Sequence, residues 1–262
     1  MAENINSFFF NTTPRIIYGS NVSEDSSPFS KLIGKSVLLI TDKGITGLKL
    51  YENLIINLRR SGITINIFDD VEADPSLKTL GKAISFGKKT NASGIIGFGG
   101  GSSMDVAKLT ALILGSNENL EEAWGVGNAK GPRIPLCLIP TTSGTGSEVT
   151  PISIITINGE EKRGVVSQIL LPDMTILDPN LTLRLPASIT AATGIDAMVH
   201  AIEAFTSESP NNNYLSKLMA KEALILLNNS IRETVQDGQN IDARSDMLMG
   251  SMMAGMAFAN SP

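Results

Sequence analysis

Residues 94–108 read GIIGFGGGSSMDVAK: an apolar run, three glycines, and a turn into residues of helical character. Gly94 to Phe98 has the unbroken apolar character of a strand covered on both faces, and Ser102 to Leu114 continues as a helix. A buried strand that passes through glycines directly into a helix is one step of a parallel β–α sheet. The same step recurs on either side. Val37 to Ile40 (VLLI) closes on Thr41-Asp42, and Tyr51, Leu54, Ile55 and Leu58 then repeat at helical spacing up to Gly62. Ile63 to Phe68 forms the next strand. Leu77, Leu80 and Ile84 mark a helix after Asp74-Pro75, and Leu136 to Ile139 gives a fourth strand. This alternation predicts right-handed βαβ units in a Rossmann-like parallel sheet with helices on both faces.

Past Pro186 the pattern changes. The segments SITAATGIDAMVHAIEAF, YLSKLMAKEALILLNN and SDMLMGSMMAGMAFAN are long, helical in spacing and without strand signals. In the middle one, Leu215, Met219, Ala223 and Leu226 read as the buried stripe. The expected organisation is an α/β domain over residues 1–185 and an all-helical domain over 186–262, incomplete where the chain stops. The ten methionines, concentrated in the last segment, read as core filler.

Composition narrows the function classes. With 21 basic and 26 acidic residues the net charge is −5, which argues against a nucleic-acid surface. No apolar stretch reaches the 18 or so residues that span a bilayer. The first ten residues, MAENINSFFF, carry acid and no basic region, so no secretory leader is expected. The one cysteine, Cys137, lies in the apolar run PLCLI, in keeping with a reducing, cytoplasmic setting. His200 is the only histidine, so any site needing two from this chain is excluded.

Three segments carry chemistry. In Gly99-Gly100-Gly101-Ser102-Ser103-Met104-Asp105, glycines at a helix start expose backbone N–H groups where the helix dipole is positive, which suits a diphosphate. A turn that needs glycine for its geometry alone fits the same residues, and neither G-x-G-x-x-G nor G-x-x-x-x-G-K-[ST] is met. Pro140 to Thr150 (PTTSGTGSEVT) places hydroxyls beside two glycines after the next strand, either a phosphate- or ribose-binding loop or a solvated turn. Asp42, ending the first clear strand, could accept hydrogen bonds from a ribose diol and repel a 2′-phosphate, favouring NAD(H) over NADP(H); a helix N-cap is the other reading. In Gly194 to Glu203, Asp196 and His200 stand four residues apart on one helix face. They form half of a divalent transition-metal site, or else a helical ion pair around a packed histidine. Glu203 and Asp105 also read as ordinary salt-bridge partners.

Taken in order, TD at 41–42, GGGSSMDVAK at 99–108, PTTSGTGSEVT at 140–150, LPDMTILDPNLT at 171–182 and ATGIDAMVHAIEAF at 192–205 resemble the iron-containing (group III) alcohol dehydrogenase family along most of the chain. The resemblance implies a dinucleotide-binding domain, an all-helical domain and an active site in the cleft between them. It places Asp42 on the adenosine ribose and Gly99, Gly100 and Ser102 on the pyrophosphate. Asp105 would hold the loop or substrate pocket, Thr141, Thr142 and Thr145 would line the nicotinamide and phosphate side, and Lys162 would reach the cofactor ribose. Asp196 and His200 match the first two metal ligands, and two further histidines are expected beyond residue 262, as in a C-terminally truncated chain.

The implied reaction is reversible oxidation of an alcohol to an aldehyde or ketone, with hydride transfer to NAD(P). The implied ion is Fe(II), alternatively Zn(II), and the partners are a small alcohol or carbonyl substrate and, in the complete protein, further copies of itself. A glycerol dehydrogenase or a dehydroquinate synthase-like lyase on the same scaffold, a non-catalytic dinucleotide-binding module and an assembly subunit are the competing readings.

Overall fold

The computed structural model describes residues 7–29 and 32–261; residues 1–6, on which the leader reading partly rests, lie outside them. Six parallel strands form the main sheet: β1 (Ile16–Tyr18), β2 (Ser36–Ile40), β3 (Thr64–Phe68), β4 (Gly94–Gly99), β6 (Leu136–Pro140) and β9 (Met174–Leu177). Their order is β1-β9-β6-β4-β2-β3. From β2 the chain runs outward to β3, whereas from β4 it runs the other way to β6. The direction of winding therefore reverses between β2 and β4, and the crevice at the carboxyl ends of those strands is where open parallel sheets take their ligands. A second sheet, ordered β5-β8-β7, contains β5 (Gly125–Val126), β7 (Ile152–Ile157) and β8 (Glu161–Val166), with β7 and β8 antiparallel.

Alternation along the central strands divides the core. Leu38, Ile40, Ile95, Leu136 and Leu138 face α3 (Leu77–Lys89) and α4 (Gly101–Ser116). Val37, Leu39, Ile96, Phe98, Cys137 and Ile139 share the opposite face with Leu54, Ile55 and Leu58 of α2 (Glu52–Arg60). Each such fully buried aliphatic side chain contributes about 1.5–3 kcal/mol. Two short helices, α1 (Lys43–Leu48) and α5 (Leu120–Ala123), complete this part of the chain. The sequence reading located four of the six strands. It did not pick out β1 or β9, which have three and four residues and are too short to show a period. Leu77, Leu80 and Ile84 do mark a helix, α3, in which Leu77 is 39% exposed. It is the first residue after the Ser76 N-cap, whose hydroxyl accepts from Thr79 N, and the inward face begins at Thr79 and Leu80.

After β9 come three long helices: α6 (Ala187–Thr206), α7 (Tyr214–Gln236) and α8 (Ile241–Asn260). The side chains between them are small, with Ala197, Ala201 and Ala204 meeting Ala220, Ala223 and Ala254. This corrects in part the stripe expected on α7, of which Ala223 is buried and Met219 packs on the core. Its buried face is Ser216, Ala220, Ala223, Leu227, Ser230 and Thr234, while Leu215 is exposed. Helix axes this close leave no room for leucines at most interface positions, so the helix is rotated to put its small residues inward. No helix among the described residues is long and apolar enough to cross a membrane.

The helices join the sheet through Val149, Leu177, Leu248, Met252 and Met256 and through close backbone contacts with the loop after β6. Gly146, at φ 60°, faces Gly255 of α8 so closely that a side chain built on Gly255 would stand 2.7 Å from the Gly146 Cα. Gly255→Ala is expected to lower the urea-unfolding midpoint, at a cost of about 1–3 kcal/mol for overpacking. Gly81→Ala is the control: Gly81 lies within α3 with nothing inside 4 Å of its would-be side chain. It is expected to raise the midpoint by about 0.5–1 kcal/mol of backbone entropy.

Candidate functional site

The site is organised around the first turn of α4. Gly99 ends β4 at φ 149°, and a side chain there would stand 2.8 Å from Ser103 Oγ and 3.4 Å from Asp42 Oδ2. Gly100 is the N-cap of α4 and supplies no side-chain cap, so the N–H groups of Gly101, Ser102 and Ser103 are left without an intrahelical acceptor at the positive end of a 16-residue helix. Asp42, at the end of the neighbouring strand, caps α1 by accepting from Ile45 N at 3.0 Å through Oδ1. Its Oδ2 is turned toward Gly99. The capping and ligand readings of Asp42 are therefore compatible, each using a different oxygen.

Two cavities meet at this helix end. A cleft of about 690 Å³ runs along Asp42, Gly100, Ser102, Thr141 and Thr142, with Leu48, Val71 and Ile189 among its apolar walls. A smaller one of about 340 Å³ is lined by Asp105, Thr145, Lys162, Asp196, His200 and Phe258. Gly101 and Ser102 border both. The structure thus brings every sequence-selected site residue to one of these two cavities except Gly99, whose part is to turn the chain.

Asp196 and His200 lie one turn apart on α6, with His200 Nε2 3.9 Å from Asp196 Oδ1. Phe258 of α8 packs on the imidazole at a centroid distance of 5.0 Å, and the buried Nδ1 has no hydrogen-bond partner. That spacing is within the span of two donors sharing one ion at about 2.0–2.2 Å each. Among the described residues no group of three or more His, Cys, Asp or Glu side chains converges, so this pair supplies two of the roughly four donors such an ion takes. The pair suits a transition metal in kind, imidazole with carboxylate, and fills part of the coordination. Lys162, on β8, reaches the same cavity, and its ammonium pairs with Asp74 at 2.7 Å.

Beneath the smaller cavity is a buried charged cluster of which sequence reasoning singled out only Asp105. Lys108 is fully buried, and its ammonium donates to Ser147 Oγ at 2.8 Å, Thr150 Oγ1 at 3.3 Å and the Ile152 carbonyl at 2.7 Å. Asp105 accepts from Ser147 Oγ at 2.7 Å and from Ile154 N at 3.0 Å. Burial lowers Lys108 to about 8 against the pull of Asp105 and Glu148. Burial also raises Asp105, and it lifts Glu148, one of whose carboxyl oxygens has no partner, to about 7. The available signal was a lysine inside the otherwise apolar run VAKLTALIL, one turn after Asp105.

Because the folded chain holds the Glu148 proton more tightly than its ordinary value of 4.5, this group's contribution to stability is present below that value and is lost as pH rises through about 7. Glu148→Gln is expected to remove that decline, narrowing or reversing any deficit against the wild type by on the order of 1–3 kcal/mol between pH 4.5 and 7 in urea-unfolding curves. Parallel curves for the two proteins across that window would contradict the assignment.

Sequence profiles of two families match the chain: iron-containing alcohol dehydrogenase over residues 13–179, and the C-terminal part of the Fe-containing alcohol dehydrogenase family over residues 190–262. The long-chain-alcohol dehydrogenase 1 of Geobacillus thermodenitrificans is 39% identical over 234 residues, covering 88% of this chain and 58% of that protein. The NAD-dependent methanol dehydrogenase of Bacillus methanolicus is 32% identical over 253 residues, covering 96% of this chain and 66% of that protein. The chain thus spans 58% and 66% of the length of these two curated relatives. Among solved structures, a 1,3-propanediol oxidoreductase superposes with a TM-score of 0.92 at 32% identity, over 97% of this chain and 67% of that one. With a turn at Gly99, an uncapped α4 and the Asp196–His200 pair all in place, and both profiles matched, the chain belongs to the iron-containing alcohol dehydrogenase family.

Proposed function

We propose that this chain is the nucleotide-binding and metal-binding part of an NAD-linked alcohol dehydrogenase acting on a small alcohol or the corresponding carbonyl compound. The observation that carries the reading is the pair of cavities joined at Gly101 and Ser102, with Asp42 beside one and the Asp196–His200 pair beside the other. A dinucleotide has the same plan: two nucleoside halves with a diphosphate between them. The free N–H groups of α4 meet the diphosphate, and the larger cleft takes the adenosine half, with Asp42 Oδ2 accepting from the ribose diol. The smaller cavity then takes the nicotinamide ribose and ring, within reach of Lys162 and Thr145. This brings the redox end of the cofactor to the cavity wall that holds Asp196 and His200.

Asp196 and His200 would hold Fe(II), or Zn(II), since imidazole and carboxylate do not discriminate strongly between them. When bound, the ion supplies Lewis acidity toward a substrate oxygen and nicotinamide supplies a two-electron acceptor. The chain's own part is positioning. Phe258 holds the imidazole plane, α4 fixes the diphosphate, and the loop carrying Thr145 closes the cavity between them. The kinship to an NAD-dependent methanol dehydrogenase supports NAD over NADP, as does the charge of Asp42.

Fluorescence titration of the chain with NADH tests the reading, and a chain that is folded by circular dichroism and fails to bind would refute it. Asp42→Gly is expected to shift the NADPH-to-NADH affinity ratio about tenfold toward NADPH, while loss of the α1 cap costs only a few tenths of a kcal/mol because glycine is tolerated there. An unchanged ratio would remove Asp42 from the ribose. His200→Ala is expected to abolish Fe(II) or Co(II) uptake followed by anaerobic calorimetry and to leave NADH affinity within about twofold, since the diphosphate grip is on another element.

A further inference from the structure

Two residues of α4, Asp105 and Lys108, one turn apart, point away from the diphosphate end and grip the segment that follows β6. Lys108 holds Ser147, Thr150 and the Ile152 carbonyl, while Asp105 holds Ser147 and the Ile154 amide. The Ser147 hydroxyl joins the two, accepting from the ammonium and donating to the carboxylate. Ser153 Oγ adds a bond to the Asp105 carbonyl at 2.9 Å. Ser147, Thr150, Ile152 and Ile154 all line the smaller cavity, and none of them borders the larger cleft. Lys108 itself borders neither, being buried behind that wall.

We infer that Lys108 is a positioning residue for the nicotinamide half of the site: its buried ammonium, with Asp105, fastens one wall of the smaller cavity to the same helix whose first turn receives the diphosphate. The inference rests on the dinucleotide reading above. Its physical basis is that a buried ammonium is a costly way to fill space, and an apolar side chain of similar length often serves stability as well or better. What an apolar chain cannot do is hold two hydroxyls and a carbonyl at fixed places. With the ammonium present, phosphate contact and ring pocket move as one rigid body, and the distance between the two halves of the ligand is set within α4 and its bonds. Asp105 and Glu148 are the ionisable groups whose charges act on the ammonium, so it stays within a closed cluster and does not reach the ligand.

The test compares two ligands on the 262-residue chain by calorimetry: NADH, which fills both cavities, and ADP, which fills only the larger. Lys108→Met is expected to weaken NADH about tenfold or more and to leave ADP within about twofold, at unchanged circular dichroism. Should that variant fail to fold, Ser147→Ala and Thr150→Val, which keep the ammonium and each remove one of its bonds, are expected to show the same split at about threefold. Equal weakening of NADH and ADP would reduce Lys108 to a structural residue and overturn the inference, and so would unchanged affinity for both. A folded wild-type chain that binds ADP but gains nothing from the nicotinamide half would overturn it as well. Binding of neither ligand by that chain would instead refute the dinucleotide reading, and the clamp with it.

Discussion

A helix packed on nearly all sides must find partners for the charges it carries, and α4 is such a helix. From Ser103 to Ile113 all its residues but Asp105 are buried, held between the sheet, α3 and β7. Only two of its side chains in that stretch carry charge, and both are bonded to the segment from Ser147 to Ile154. Where α4 leaves backbone N–H groups unpaired is its first turn, at the sheet's carboxyl edge, where Gly100 provides no cap. A helix so tightly held cannot retreat from its own unpaired N–H groups. They stay aimed at the crevice, and a ligand with negative charge satisfies them.

The loop from Thr141 to Thr150 depends on α4 and in turn seats the helices. Gly101 leaves room for Thr145, whose methyl would stand 2.9 Å from a side chain built there. Gly144 gives way in the same manner to Thr193 of α6, and Gly146 to the backbone of Gly255 in α8. Three glycines thus let one loop touch α4, α6 and α8 at near-backbone distance. The small-residue packing among the helices extends the same principle, since alanines and glycines at the contacts let backbones approach and leave little freedom for the helices to slide.

How much of this could be read in the sequence follows from what periodicity and spacing encode. The long buried strands and α2, α4 and α6 showed themselves because their apolar runs exceed a full period. β1 and β9 stayed hidden because three or four residues do not make a pattern. The buried face of α7 was legible at Ala223 and not at its start, where hydrophobicity favours Leu215 and close packing favours Ser216 and Ala220. Gly99 to Ser102, Asp42 and the Asp196–His200 pair were legible as chemistry, since residue type and local spacing define them. Lys108 was not. Its meaning lies in contacts to Ser147, Thr150 and Ile152, about 40 residues away in the chain, and only the fold brings these together.

The placement of the Asp196–His200 pair is the least local feature of the site. Nothing in α6 alone fixes the imidazole, because Nδ1 has no hydrogen-bond partner and Nε2 faces a carboxylate that is 49% exposed. The restraint comes from Phe258, which belongs to α8, and α8 is located by the Gly255–Gly146 contact with the loop after β6. That loop is held by Asp105 and Lys108 of α4. The distance between the first turn of α4 and the Asp196–His200 pair is therefore carried through a chain of close contacts from α4 to the loop, to α8, to Phe258 and to His200. The first link is a bond to a buried charge, the second a backbone approach that admits no side chain, and the last a ring contact. Such links are stiff, because a small displacement either forces overlap or leaves a charge unpaired. On the proposed reading, hydride transfer would use that stiffness, since the reacting carbons would have to be held within a few tenths of an ångström by groups that stand on different elements of the fold.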